Sequence, residues 1–172
     1  DATHFNLPNG MLVLRNGNIV VTDGYGNNRV VMFDKDGKFL KQVGKGDGGP
    51  TDKGHGPGEF AQPHKLAVDA EENIYVVDRQ NRRIQVFDRD LNYLRHYGRD
   101  EWVPWAIAIS RKGDEGYGFF ADHPNEEIKQ FSLKDGSVLA TFGSPGLQPG
   151  QFVSLHGLAV DSQGNVYGAD TF

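Results

Sequence analysis

Hydrophobic residues along the chain fall into short bursts separated by Gly, Asn, Asp and Pro, and no stretch sustains a helical period. One stretch shows the pattern in full. Leu66-Ala67-Val68 leads into a polar turn, then come Ile74 to Val77, Arg83-Ile84-Gln85-Val86-Phe87 and Tyr93-Leu94-Arg95-His96-Tyr97, closed by Gly98. The earlier part of the chain repeats the order: Met11 to Leu14, the turn Arg15-Asn16-Gly17-Asn18, Ile19 to Thr22, Arg29 to Phe33, and Phe39 to Val43 closed by Gly44. Between the last two runs, Asp34-Lys35-Asp36-Gly37-Lys38 is a hairpin signal with Asp-Gly at its tip. The pattern predicts an all-β chain built from units of four short antiparallel strands.

The units are copies of one another. Gln62-Pro63-His64-Lys65-Leu66-Ala67-Val68-Asp69 returns as Ser154-Leu155-His156-Gly157-Leu158-Ala159-Val160-Asp161, 92 residues later. The correspondence reaches upstream, Pro57-Gly58-Glu59-Phe60 with Pro149-Gly150-Gln151-Phe152, and downstream, Asn73-Ile74-Tyr75 with Asn165-Val166-Tyr167 and Asp78 with Asp170. A unit lies between them at Pro104-Trp105-Ala106-Ile107, and an earlier one at Pro8-Asn9-Gly10-Met11. The repeat is therefore roughly 46 residues, the size of a four-stranded β-propeller blade.

The lead-in Pro-x-Gly-x-Phe, the Leu-Ala-Val-Asp strand, Asn-Ile-Tyr-Val-Val-Asp at 73–78 and Arg-Ile-Gln-Val-Phe at 83–87 resemble the NHL repeat. The resemblance implies a β-propeller with a ring of six blades. The predicted blades are 7–44, 62–99 and 103–143, with the first half of a fourth at 154–172. Three and a half blades cannot close a ring and would leave unpaired edges. The expected partners are the remaining blades, from a longer chain in preference to a second copy.

Composition narrows the function classes. The formal charge is -5, with 18 basic and 23 acidic residues, and the one dense basic cluster, Arg79, Arg82 and Arg83, is flanked by Asp78 and Asp88. Nucleic-acid binding calls for a one-sided basic surface, so no nucleic-acid partner is expected. No apolar run has the length of a membrane span, so no membrane partner is expected either. The absence of cysteine excludes disulfides and thiolate metal sites and leaves the compartment open.

Blade phase gives two histidines a meaning. The first strand of a blade lines the central channel, and His64 and His156 occupy the same phase immediately before it, two blades apart. Alternate blades of a six-bladed ring are related by a threefold rotation, so three histidines at this phase would converge on the axis. Three neutral imidazoles with an open position make a catalytic zinc site. The intervening phases hold Asn9 and Trp105, and the third histidine is expected about 28 residues before Asp1, outside the chain. His4 is out of phase, and His55, His96 and His123 read as surface or loop residues. The alternative is that His64 and His156 bond channel water or cap a loop.

The loop after each second strand returns to the same rim. Asp23-Gly24-Tyr25-Gly26-Asn27-Asn28-Arg29 is one residue longer than Asp78-Arg79-Gln80-Asn81-Arg82-Arg83. Tyr25 beside a metal cation could act as a base, and Arg79 could hold a carboxylate. Their alternatives are a loop aromatic and an ion pair with a neighbouring Asp. Asp23, Asp78, Asp122 and Asp170 recur in every unit and read as turn residues bonding backbone N–H groups. Arg29 and Arg83 are expected to pair with neighbouring blades.

These segments also resemble the lyase domain of the peptidyl-α-hydroxyglycine α-amidating lyase family. The resemblance implies a six-bladed propeller whose zinc is held by three histidines, with His64 and His156 as two of them, Tyr25 as the catalytic base and Arg79 as an active-site arginine. The implied reaction splits a peptidyl-α-hydroxyglycine into a peptide amide and glyoxylate, so the partner is a peptide or small-molecule substrate. Gly157 stands where the animal enzymes carry an aspartate tied to calcium, and Tyr75 and Val86 stand where they carry a cysteine pair. The resemblance therefore implies zinc and neither that calcium site nor that disulfide. It implies an extracellular or periplasmic setting. The competing function is a non-catalytic NHL scaffold that binds a protein, peptide or glycan.

Overall fold

The computed structural model describes residues 4–44, 54–110 and 116–171. Phe172, with which the predicted fourth unit ends, lies outside the described residues. Three four-stranded antiparallel sheets and one two-stranded sheet follow each other along the chain. The first is β1 (Gly10–Val13), β2 (Ile19–Asp23), β3 (Arg29–Phe33) and β4 (Phe39–Val43). The second is β5 (Pro63–Val68), β6 (Ile74–Asp78), β7 (Arg83–Phe87) and β8 (Tyr93–Gly98). The third is β9 (Pro104–Ile109), β10 (Tyr117–Asp122), β11 (Glu127–Ser132) and β12 (Val138–Phe142), and a half-blade follows with β13 (Leu155–Val160) and β14 (Val166–Asp170). Strand order within each sheet equals chain order, as in a propeller blade. The described helical segments are single turns, and no helix among the described residues is long and apolar enough to cross a membrane.

Among the described residues, the turns after β5, β7 and β13 each close on an aspartate side chain. Asp69 Oδ1 accepts the N–H groups of Glu71 and Asn73, Asp88 those of Asp90 and Asn92, and Asp161 those of Gln163 and Asn165. These bonds give the turn an alternative to the ladder and so end the strands.

Alternation puts each blade's apolar residues on two faces, and neighbouring blades share the cores between them. Val20, Val30 and Met32 of the first blade meet Ile74, Val76 and Phe87 of the second. Tyr75, Val77, Ile84 and Val86 of the second meet Trp102, Ile107, Phe120 and Phe131 of the third. Phe119, Ala121 and Ile128 of the third meet Leu155, Leu158 and Val166 of the half-blade. Tyr75 and Val86 stand opposite each other across β6 and β7, where the family resemblance places a cysteine pair, and here they are apolar core. The outer faces carry the same register without a neighbour: Met11 is 68% and Val13 59% exposed, and Tyr167 is 56% exposed where its counterpart Tyr75 is fully buried.

The recurring aspartates act as predicted. Asp23, Asp78 and Asp122 each accept the backbone N–H of the segment entering the first strand, from Asn6, Ala61 and Val103, and Asp170 accepts those of Val153 and Ser154. The arginines correct the prediction. Arg29 and Arg83 pair within their own blades, with Asp23 at 2.9 Å and Asp78 at 2.7 Å, because β2–β3 and β6–β7 set them directly opposite those aspartates. Arg83 spends its remaining N–H groups on carbonyls of His55, Gly56 and Glu59.

Candidate active site

The site forms where the first strands begin. In β5, β9 and β13 the ladder to the next strand slips by one residue at the same phase. Pro63 pairs with Asp78 but Leu66 with Val76, Pro104 with Asp122 but Ala106 with Ala121, and Leu155 with Asp170 but Gly157 with Ala169. The bulge residues are thus His64 with Lys65, then Trp105, then His156. A bulge re-aims its side chains, and here it gathers them: the ring centroids of His64 and His156 lie 5.0 Å apart, and those of Trp105 lie 5.9 and 5.4 Å from them. Strand β1 runs in register from Gly10 without a bulge. The histidines sit inside the first strands as their second residues, and not just before them as the sequence suggests, because pairing with the next strand already begins at Pro63 and Leu155.

His64 is fully buried. Its Nδ1 lies 2.6 Å from the Trp105 carbonyl, which can only accept, so Nδ1 carries the proton. Nε2 is therefore a lone pair, and it accepts the Tyr25 hydroxyl at 2.9 Å. Burial, opposed by the bond to Trp105 and reinforced by His156, Arg79 and Lys65, pulls the His64 pKa down to about 4. His156 is half-buried and is lowered by burial, then by Lys65, Arg79 and His123. Both rings are neutral near pH 7, the form that ligates metal.

Tyr25 reaches His64 because of the extra residue in its loop. Gly24–Asn27 makes one α-helical turn, whereas the shorter loop makes a 3-10 turn at Arg79–Asn81, and each ends on a left-handed residue, Asn28 or Arg82. Gly24 is required, since a Cβ there would run into the Pro63 carbonyl. Arg79 lies with its guanidinium 3.6 Å from the Trp105 ring centroid and interacts with the Tyr25 hydroxyl. Burial lowers its pKa and Tyr25 opposes that shift, and the guanidinium remains charged.

His123 belongs to this group, contrary to its reading as a surface or loop residue. It stacks on Trp105 at 3.7 Å and 21°. Two planar groups this close to one indole cannot share a face, so Arg79 and His123 sandwich Trp105. The signal lay in the repeat: His123 follows Asp122 as Arg79 follows Asp78. Its Nδ1 is 3.0 Å from Glu126 but poorly aligned for a hydrogen bond. His4 offers its carbonyl to Arg29, and His96 bonds Tyr93 on the outer strand.

The structure thus brings Tyr25, His64, Arg79 and His156 together at one mouth of the channel. Beyond them the channel wall is apolar, a cavity of about 370 Å³ lined by Leu12, Leu66, Ala67, Ala108, Ala159 and Val160 among others. Two neutral imidazoles, one oriented by a backbone carbonyl through its other nitrogen, suit zinc. Among the described residues no three His, Cys, Asp or Glu side chains form a metal cage, so a site built on this pair needs a ligand from elsewhere.

Residues 10–133 match the DUF5128 family, described as a 6-bladed beta-propeller. The chain belongs to that family. A Caenorhabditis elegans protein named as a probable peptidyl-alpha-hydroxyglycine alpha-amidating lyase is 35% identical over 120 residues, covering 69% of this chain and 31% of that protein. Human NHL repeat-containing protein 3 is 31% identical over 139 residues, covering 79% and 36%. The chain thus spans about a third of each of these relatives. A streptogramin B lyase structure superposes with a TM-score of 0.66 at 15% identity, covering 95% of this chain and 48% of that one, a likeness of fold alone. The chain is an NHL-type propeller similar in sequence to the amidating lyases.

Proposed function

We propose that the protein is a zinc-dependent lyase that cleaves a peptidyl-α-hydroxyglycine to a peptide amide and glyoxylate. The observation that carries this reading is the meeting of His64 and His156 from alternate blades, with the Tyr25 hydroxyl 2.9 Å from the His64 Nε2 lone pair that a metal would take in its place. The similarity to the amidating lyases supports it.

Zinc held by His64, His156 and a third imidazole from outside these residues would supply Lewis-acid polarisation of a substrate oxygen. Tyr25, as the phenolate, is the base that takes the substrate hydroxyl proton at its phenolic oxygen. As that O–H bond breaks, its electron pair forms the carbonyl of glyoxylate, the Cα–N bond breaks, and the nitrogen leaves with the bonding pair and takes the proton back from Tyr25. No oxidant enters. Arg79, flat on Trp105 and beside Tyr25, binds the substrate carboxylate or balances charge developing there.

The test is metal analysis of the full-length protein, with about one zinc per chain expected and lost in His64→Ala. A metal-free full-length protein would leave the second reading, a scaffold that binds a protein, peptide or glycan. That reading is favoured by the lack, among the described residues, of a third side chain that closes a metal cage with His64 and His156 and by the match to NHL repeat-containing protein 3.

A further inference from the structure

The residue after Asn9, His64, Trp105 and His156, the four equivalent rim positions, is Gly10, Lys65, Ala106 or Gly157. Three are small and one is a long cation. Lys65 extends toward the neighbouring blade and donates to the Asn9 carbonyl at 2.6 Å. Among the described residues Lys65 makes no ion pair with a carboxylate. Arg79 makes none either, and its Nε is buried without a hydrogen-bond partner.

Among the described residues the charges acting on the imidazoles are therefore of one sign, since Arg79 and Lys65 both act on His64 and on His156. The buried acids at this end are engaged otherwise, Asp23 by Arg29, Asp78 by Arg83, Asp122 by Lys129, and Glu126 by the Leu155 N–H beside His123. Two half-buried cations held near two neutral rings favour an anion that completes them. A divalent cation added at the imidazoles would deepen the imbalance.

We propose that Lys65 is a second anchor for a carboxylate-bearing ligand, working with Arg79, and that it restricts this mouth of the channel to anionic substrates. The inference rests on the rim being a substrate site and does not need the lyase chemistry. Its role is binding: the ammonium donates to a carboxylate oxygen while Asn9 holds the stem in place.

The probe is glyoxylate, titrated calorimetrically into the chelator-treated full-length protein so that metal–carboxylate bonding does not contribute. Lys65→Met should weaken binding about tenfold or more, and Lys65→Arg should stay within about threefold of wild type. Undiminished affinity in Lys65→Met, or no binding by the wild type, overturns the inference. If Lys65→Met fails to fold, the Lys65 side-chain nitrogen resonance of the wild type decides: it shifts with glyoxylate if the anchor is real, and a static resonance refutes it. Lys65-dependent glyoxylate binding without any turnover of an α-hydroxyglycine peptide would keep this inference and remove the lyase reading.

Discussion

The Tyr25 hydroxyl donates to His64 Nε2 at 2.9 Å, across two blades and 39 residues of sequence. The bond exists because Trp105 holds the other nitrogen through its backbone carbonyl, so His64 has a single lone pair to offer and it faces Tyr25. Tyr25→Phe removes the hydroxyl and keeps the ring packing against His64. Glyoxylate release from an α-hydroxyglycine peptide should fall about 10²- to 10⁴-fold in this variant, with the circular dichroism spectrum unchanged. Activity equal to wild type would remove Tyr25 as the base.

Trp105 positions Arg79 through its ring and His64 through its carbonyl, and only the first depends on the side chain. Trp105→Leu should therefore free Arg79 and spare the His64 tautomer. The expected result is a KM raised about 3- to 30-fold with kcat little changed, and Trp105→Phe should recover most of the loss. A fall in kcat at constant KM would show that the indole acts on chemistry instead.

Gly24 lies against the Pro63 carbonyl, one residue before His64. Gly24→Ala must push the Tyr25 loop and β5 apart. It should cost about 1–3 kcal/mol in urea unfolding and weaken zinc retention in dialysis. Wild-type behaviour in both measurements would mean that the loop and strand are not held as described.

Asp78 is fully buried and binds the Ala61 N–H with one oxygen and Arg83, Gln85 and Asn81 with the other. Asp78→Ala strands the Arg83 guanidinium, so unfolding free energy should drop by about 3–5 kcal/mol. A change below 1 kcal/mol, on the order of a surface substitution, would contradict this network.

Asp161 is exposed, yet the Asn165 side chain, the Asn165 N–H, the Tyr167 hydroxyl and the Gln163 N–H lower its pKa to about 2. Because the folded value is depressed, its contribution to stability is present above the ordinary carboxylate value and fades as pH falls toward 2. Carbon-detected NMR titration of the side-chain carboxyl should give a midpoint near 2. A midpoint at the ordinary value of 3.8 would mean that the turn is not closed in solution.

Blade 3 shows where reading by phase reaches its limit. Glu127 falls where blades 1 and 2 carry Arg29 and Arg83, so the repeat alone leaves Asp122 without a cation. The structure supplies Lys129, two residues along the strand and hence on the same face, at 2.7 Å from Asp122 and 2.6 Å from Glu127. His123 was overlooked for a related reason, since its repeat position is plain but its stacking on Trp105 depends on the neighbouring blade.

The strands, their order, the blade repeat and the shared phase of His64 and His156 are all determined by the sequence, because alternation and turn chemistry act between residues close along the chain. The bulges that turn His64, Trp105 and His156 into one space, the proton placement on His64, and the crowding of Arg79 and Lys65 without a carboxylate are decided by tertiary structure. These features arise between blades about 40 residues or more apart in sequence, where burial and packing set both the direction of a side chain and the state of its charge.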